Sequence, residues 1–203
     1  MTRHMTKDSS PQRRQMRELI AQSAARLIAE DGIQDYAAAK RKAARQIGVP
    51  DSHSLPSNAE VEMALRAYQE LYQKDEQPAR LKCLRQEALA AMQLLERFNP
   101  HLTGSVLSGT ATRHSDINLQ LFTDNVKEVE LFLLNRGMPY ETGEKRFRIN
   151  DEMLPVPTFT LQGETTEIRL AVFGTDDLRK NAAAGKAPDR AKIRQVEAIL
   201  AVA

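Results

Sequence analysis

Residues 101–124, HLTGSVLSGTATRHSDINLQLFTD, decide the fold reading. In their second half Ile117, Leu119 and Leu121 alternate with Asp116, Asn118 and Gln120, so the apolar side chains share one side of a strand and the polar ones the other. In the first half Gly104 and Ser105 suit a tight turn, where backbone approaches a ligand and hydroxyl and amide groups donate to it. Asp116 and Asn118, two residues apart on a strand, point the same way and can reach one hard cation.

Downstream, period two returns in EIRLAVF, residues 167–173. Ile168, Leu170 and Val172 face a core, and Glu167 and Arg169 face the side of Asp116. Between these strands, Val126, Val129, Phe132 and Leu133 predict a helix over 125–136 that Gly137 ends. Strands are expected over 146–149 and 156–161. Pro155 and Pro157 confine the second to an edge or start it after Pro157. The loop DDLRKNAAAGKAPDR carries Lys180 and Lys186 and is of a kind that covers a nucleotide, although a plain surface loop is the default. A last helix spans 189–202.

Upstream the pattern is helical. Met16, Leu19, Ile20, Ala24, Leu27 and Ile28 recur at three- and four-residue spacing, up to Gly32. A second helix over 36–46 carries Lys40, Arg41, Lys42 and Arg45 and is stopped by Gly48 and Pro50. Residues 51–57 read as a linker with a solvated His53. Two further helices follow, over 59–73 with a cap at Ser57 or Asn58, and over 79–98 with a stripe of Leu81, Leu84, Ala88, Met92 and Leu95. Cys83 reads as a small core residue of that helix. As the single cysteine it excludes an intramolecular disulfide.

The chain of 203 residues holds one sizeable core, or a smaller core with a helical extension. With 41% hydrophobic and 28% charged residues it is expected to fold. No apolar run approaches the roughly 18 to 20 residues that cross a bilayer, and the polar N-terminus lacks the apolar stretch of a secretory signal. The expectation is a cytoplasmic protein with no membrane partner. Residues 1–50 carry ten Lys or Arg against five acids, a net of +5 that leaves −3 for the remainder of a chain of net +2. Such a basic arm permits contact with nucleic acid, or serves only as a solvated tail.

The 101–124 stretch resembles the polymerase-beta-like nucleotidyltransferase superfamily, in which a strand leads into Gly-Ser and a helix, and a second strand bears two carboxylates one residue apart. The resemblance runs from residue 101 to residue 173. It implies a small mixed-sheet core. The helical pattern upstream adds a helical N-terminal region packed on it, so the expected fold is α+β, divided into residues 1–98 and 99–203. The resemblance implies metal-dependent transfer of a nucleotidyl group from a nucleoside triphosphate to an acceptor, an RNA, DNA or protein. Asp116, Asn118 and Glu167 would be catalytic and hold magnesium or manganese (Mg2+ or Mn2+). Gly104 and Ser105 would bind nucleotide, and Arg113, in the loop before Asp116, and Arg169, on the strand of Glu167, are placed by position to join them. Asn118 departs from the pattern, because an amide stands where the family supplies a charge. The alternatives are a catalytically attenuated nucleotide- or RNA-binding module on the same fold, or a DNA-binding regulator using the basic helices. The latter rests on residues 27–49, whose AEDGI stretch resembles the start of tetracycline-repressor-type DNA-binding domains.

Overall fold

The computed structural model describes residues 11–49, 55–149, 152–178 and 190–202. His53, Lys180, Lys186 and the first ten residues of the basic arm lie outside them. Two compact units emerge: Met1–Asp75 with Thr112–His114, and Glu76–Ala111 with Ser115–Ala203. The division therefore falls between Asp75 and Glu76, not after residue 98. The fourth helix belongs with the sheet, because its buried stripe of Leu84, Ala88 and Met92 is part of the sheet's core.

The first unit contains α1 (Pro11–Asp31), α2 (Tyr36–Ile47) and α3 (Asn58–Tyr72). Ile20, Ala24, Leu27 and Ile28 of α1 meet Ala39, Ala43 and Ala44 of α2 and Val61 and Leu65 of α3 in one buried cluster. The alanines let helix backbones approach closely. Asp35 caps α2 by accepting the Ala37 N–H, and Gly48, in the left-handed conformation at φ 82°, closes it. Ser57 and Glu60 form a capping box at the start of α3, and Glu60 also pairs with Arg17 of α1 at 2.7 Å. The Ser57 backbone N–H is the main cause that holds the Glu60 carboxyl below its ordinary pKa. In the basic helix, Lys42 pairs with Asp31 and Lys40 donates to Asn58, so both cations tie the unit together.

The second unit is built on a five-stranded mixed sheet in the order β1-β2-β5-β4-β3. The strands are β1 (His101–Thr103), β2 (Ile117–Phe122), β3 (Tyr140–Ile149), β4 (Glu152–Gln162) and β5 (Glu167–Phe173). β2 and β5 are parallel and the other pairs antiparallel. Helices α4 (Gln77–Leu94), the single turn α5 (Ser105–Ser108), α6 (Val126–Asn135) and α7 (Ile193–Val202) complete it. Leu119, Leu121, Leu170, Phe159 and Leu161 from the strands bury against Leu84 and Met92 of α4, Val129 and Leu133 of α6 and Val196 of α7. The α+β class and the helical N-terminal region stand as the sequence reading has them.

Three details differ from that reading. β4 begins at Glu152, before both prolines, and Pro155 and Pro157 pair with β3 only, while β5 joins β4 from Thr158 onward. The prolines thus lie where the strand has a neighbour on one side, which a missing N–H tolerates. β3 is longer than expected because most of it is exposed ribbon paired to β4 alone, with no apolar alternation to announce it. Cys83 is exposed, one position off the buried stripe of α4. No helix among the described residues is long and apolar enough to cross a membrane.

Candidate functional site

The strand register builds the site. Ile117 lies beside Ile168 and Asn118 beside Arg169 in the parallel β2–β5 pair. Ile117 and Ile168 enter the core under the helices, so the flanking Asp116, Asn118, Glu167 and Arg169 project from the opposite face. There a single nitrogen of Arg169, Nη2, lies 2.8 Å from Asp116 Oδ2 and 3.0 Å from Glu167 Oε2. The two carboxylates predicted to act together are therefore together, with one cationic group between them.

Asp116 is only 8% exposed, and a buried carboxylate requires partners. Arg169 supplies charge, and Thr166 Oγ1 lies 3.2 Å from Asp116 Oδ1 and 3.2 Å from the Ser115 carbonyl. Thr166 is a site residue that the sequence reading missed. Its signal was its place immediately before Glu167 at the mouth of the β4–β5 hairpin. That hairpin is held in turn by Glu87 of α4, which accepts the backbone N–H groups of Glu164 and Thr165. Nothing in the sequence links Glu87 to a turn 77 residues away.

Gly104 and Ser105 adjoin the carboxylates. Gly104 has φ 76° and ψ −157°, a region essentially confined to glycine, and a Cβ built on it would lie 3.6 Å from Asn118 Nδ2. Asn118 Nδ2 donates to the Asp116 carbonyl at 3.2 Å, and Ser105 Oγ donates to Ser115 Oγ at 3.1 Å. Arg113 belongs to the helical unit, where its guanidinium donates to the Glu30 carbonyl at 3.1 Å and to His114 Nε2 at 2.9 Å. His114 is seated against Gly32, where a Cβ would come within 2.7 Å of its ring.

The donors can be tested against a divalent cation. Among the described residues no three His, Cys, Asp or Glu side chains converge. Two carboxylates and one amide remain, a hard oxygen set that leaves positions for oxygens brought by a ligand. It already holds positive charge, since Arg169 sits between the carboxylates. Asp116, Asn118 and Glu167 therefore fit a cation that arrives with an anionic ligand better than one held by the protein alone.

Farther along the same face lie Gln120, Phe122 and, across the β1–β2 pair, His101. His101 is buried, its Nδ1 lies 2.9 Å from the Asn99 carbonyl, and its ring meets Phe122 edge-on at 5.1 Å. Burial is the main cause that lowers its pKa. The Asn99 carbonyl opposes this, and Lys192 and Arg190 reinforce it. The Arg190 guanidinium lies 5.1 Å over the Phe122 ring. No protein-family model, curated protein or solved structure matches this chain.

Proposed function

We propose that the chain transfers a nucleotidyl group from a nucleoside triphosphate to an acceptor hydroxyl in a metal-dependent reaction. The observation that carries this reading is the pair of carboxylates, Asp116 and Glu167, brought from parallel neighbouring strands onto one cationic group. The Gly104-Ser105 turn and the order of these residues along the chain, which resemble the polymerase-beta-like superfamily, support it.

In this account Asp116, Asn118 and Glu167 hold magnesium or manganese together with the triphosphate. A divalent ion there neutralises phosphate charge and orients the reacting oxygens. Gly104 lets the backbone approach the phosphate chain, and Ser105 donates its hydroxyl to it. Arg169, displaced from the carboxylates, turns its guanidinium to the phosphate oxygens, where a planar fork of donors pairs well. Glu167 accepts the proton of the attacking hydroxyl as its oxygen bonds to the α-phosphorus, and the α–β phosphoanhydride bond breaks to release pyrophosphate.

A second reading has its own observation. Asn118 is neutral and Arg169 offsets one of the two carboxylates, so the same face would serve a nucleotide- or RNA-binding module without turnover. One experiment separates them: the full chain is incubated with each α-labelled nucleoside triphosphate, magnesium or manganese, and a mixture of cellular RNA and protein. Label on a macromolecule, lost in Asp116→Ala, supports transfer. Bound but untransferred nucleotide supports the second reading, and neither binding nor transfer contradicts both.

A further inference from the structure

Gln120 is 6% exposed, and its Oε1 is buried without a hydrogen-bond partner. It extends β2 on the face of Asn118, because Leu119 and Leu121 on either side point into the core under the helices. Its cross-strand neighbours leave it unserved. Ala171 has no polar side-chain atom, and His101 Nδ1 is engaged by the Asn99 carbonyl. A second buried orphan, Arg190 Nε, belongs to the guanidinium that covers Phe122, the next β2 residue on this side. Native interiors rarely leave a polar atom unpaired, and each such atom calls for an explanation. A core position in β2 would be served better by an apolar side chain of the same size.

We infer that the Gln120 carboxamide is a ligand contact, which accepts a hydrogen bond from an N–H or O–H group on the nucleoside part of the bound triphosphate. This rests on the nucleotidyl-transfer reading above and adds a specificity-determining residue to it. The ligand group is not phosphate, because a neutral carbonyl oxygen repels phosphate oxygens. Gln120 is also four residues along the strand from Asp116, about 13 Å at the usual strand rise, whereas the phosphates are held at Asp116 and Gly104. The shared chemistry, a donor facing the amide oxygen, is offered by a ribose hydroxyl and by an exocyclic amine of the base. Since Oε1 is buried, the ligand reaches it only through a local opening, so that binding and that opening are coupled.

The test compares wild type with Gln120→Met, which keeps the length of the side chain and removes the amide. Binding of magnesium tripolyphosphate and of a non-hydrolysable ATP analogue is measured by calorimetry, with thermal midpoints alongside. We expect unchanged tripolyphosphate affinity, an equal or higher thermal midpoint, and about a tenfold loss of affinity for the nucleotide, the scale of one hydrogen bond. Repeating the titration with 2′-deoxy, 3′-deoxy and inosine analogues identifies the donor. The analogue that Gln120→Met does not weaken further lacks the group that Gln120 contacts. If Gln120→Met fails to fold, Gln120→Asn, which withdraws the amide by one methylene, is expected to give the same selective loss. Tripolyphosphate binding with unchanged nucleotide affinity in the variant overturns this inference alone. Failure of wild type to bind tripolyphosphate or a non-hydrolysable analogue of any of the four nucleoside triphosphates overturns the nucleotidyl-transfer reading, and this inference with it.

Discussion

Arg169 Nη2 and Asp116 Oδ2 lie 2.8 Å apart, with the arginine side chain 40% and the aspartate side chain 9% exposed. The arginine thus reaches from a half-open position to neutralise a nearly closed carboxylate. The same nitrogen serves Glu167, so a cation held as proposed would compete with Arg169 for both carboxylates. Replacing Arg169 with methionine, which keeps the aliphatic stem and removes the charge, should raise affinity for Mn2+ in the absence of nucleotide by roughly tenfold. The same change should weaken the nucleotide, because the phosphate oxygens lose their guanidinium. Calorimetric titration of the two ligands separately reads both effects. A variant that binds Mn2+ no better than wild type would remove Arg169 from the competition.

Asn118 offers a test of the opposite sign. Its amide donates to the Asp116 carbonyl and stands beside Arg169 across the parallel pair, so a carboxylate there would add charge to a site that has little. Asn118→Asp is expected to tighten magnesium or manganese by at least about tenfold without nucleotide. Equal affinity in the two proteins would place residue 118 outside the cation site.

Much of this site was legible because strand alternation is a strict period. EIRLAVF spans β5 to the residue, and the polar set of Asp116, Asn118, Glu167 and Arg169 follows from two alternating runs once they are parallel neighbours. The guanidinium between the carboxylates was not legible, since a side-chain torsion decides whether Arg169 points to solvent or to Asp116. Closeness in sequence to Asp116 says nothing of the Glu30 carbonyl, which accepts from Arg113 within the helical unit. An amphipathic stripe says that α4 buries one side but not against what, so the pattern alone places the boundary after residue 98 while the compact units part between Asp75 and Glu76. The orphaned oxygen of Gln120 has no sequence signature, because a polar residue on a strand's outer face is expected to meet water.

His101 gives a pH dependence. Burial, chiefly, holds its folded pKa below the ordinary value, while the unfolded chain takes up its proton near pH 6.5. Between the folded and unfolded values the unfolded state binds more protons, so stability increases with pH. The contribution is complete above about pH 6.5 and is lost as the pH falls toward the folded value. Thermal midpoints at pH 7.5 and 5.5 should therefore decrease in wild type and differ less in His101→Phe, which keeps an aromatic ring against Phe122. An equal decrease in both proteins would assign the acid sensitivity to other groups.

The most direct test of the cation site is a Mn2+ titration of wild type and Asp116→Ala, each with and without a non-hydrolysable nucleoside triphosphate, reading free Mn2+ by electron paramagnetic resonance. The account predicts weak binding to wild type alone, because Arg169 already occupies the carboxylates, and much tighter binding once the triphosphate supplies further oxygens. It predicts that Asp116→Ala abolishes the gain. Equal Mn2+ affinity in both proteins under both conditions would contradict it, since Asp116 and Glu167 would then hold an arginine and nothing else.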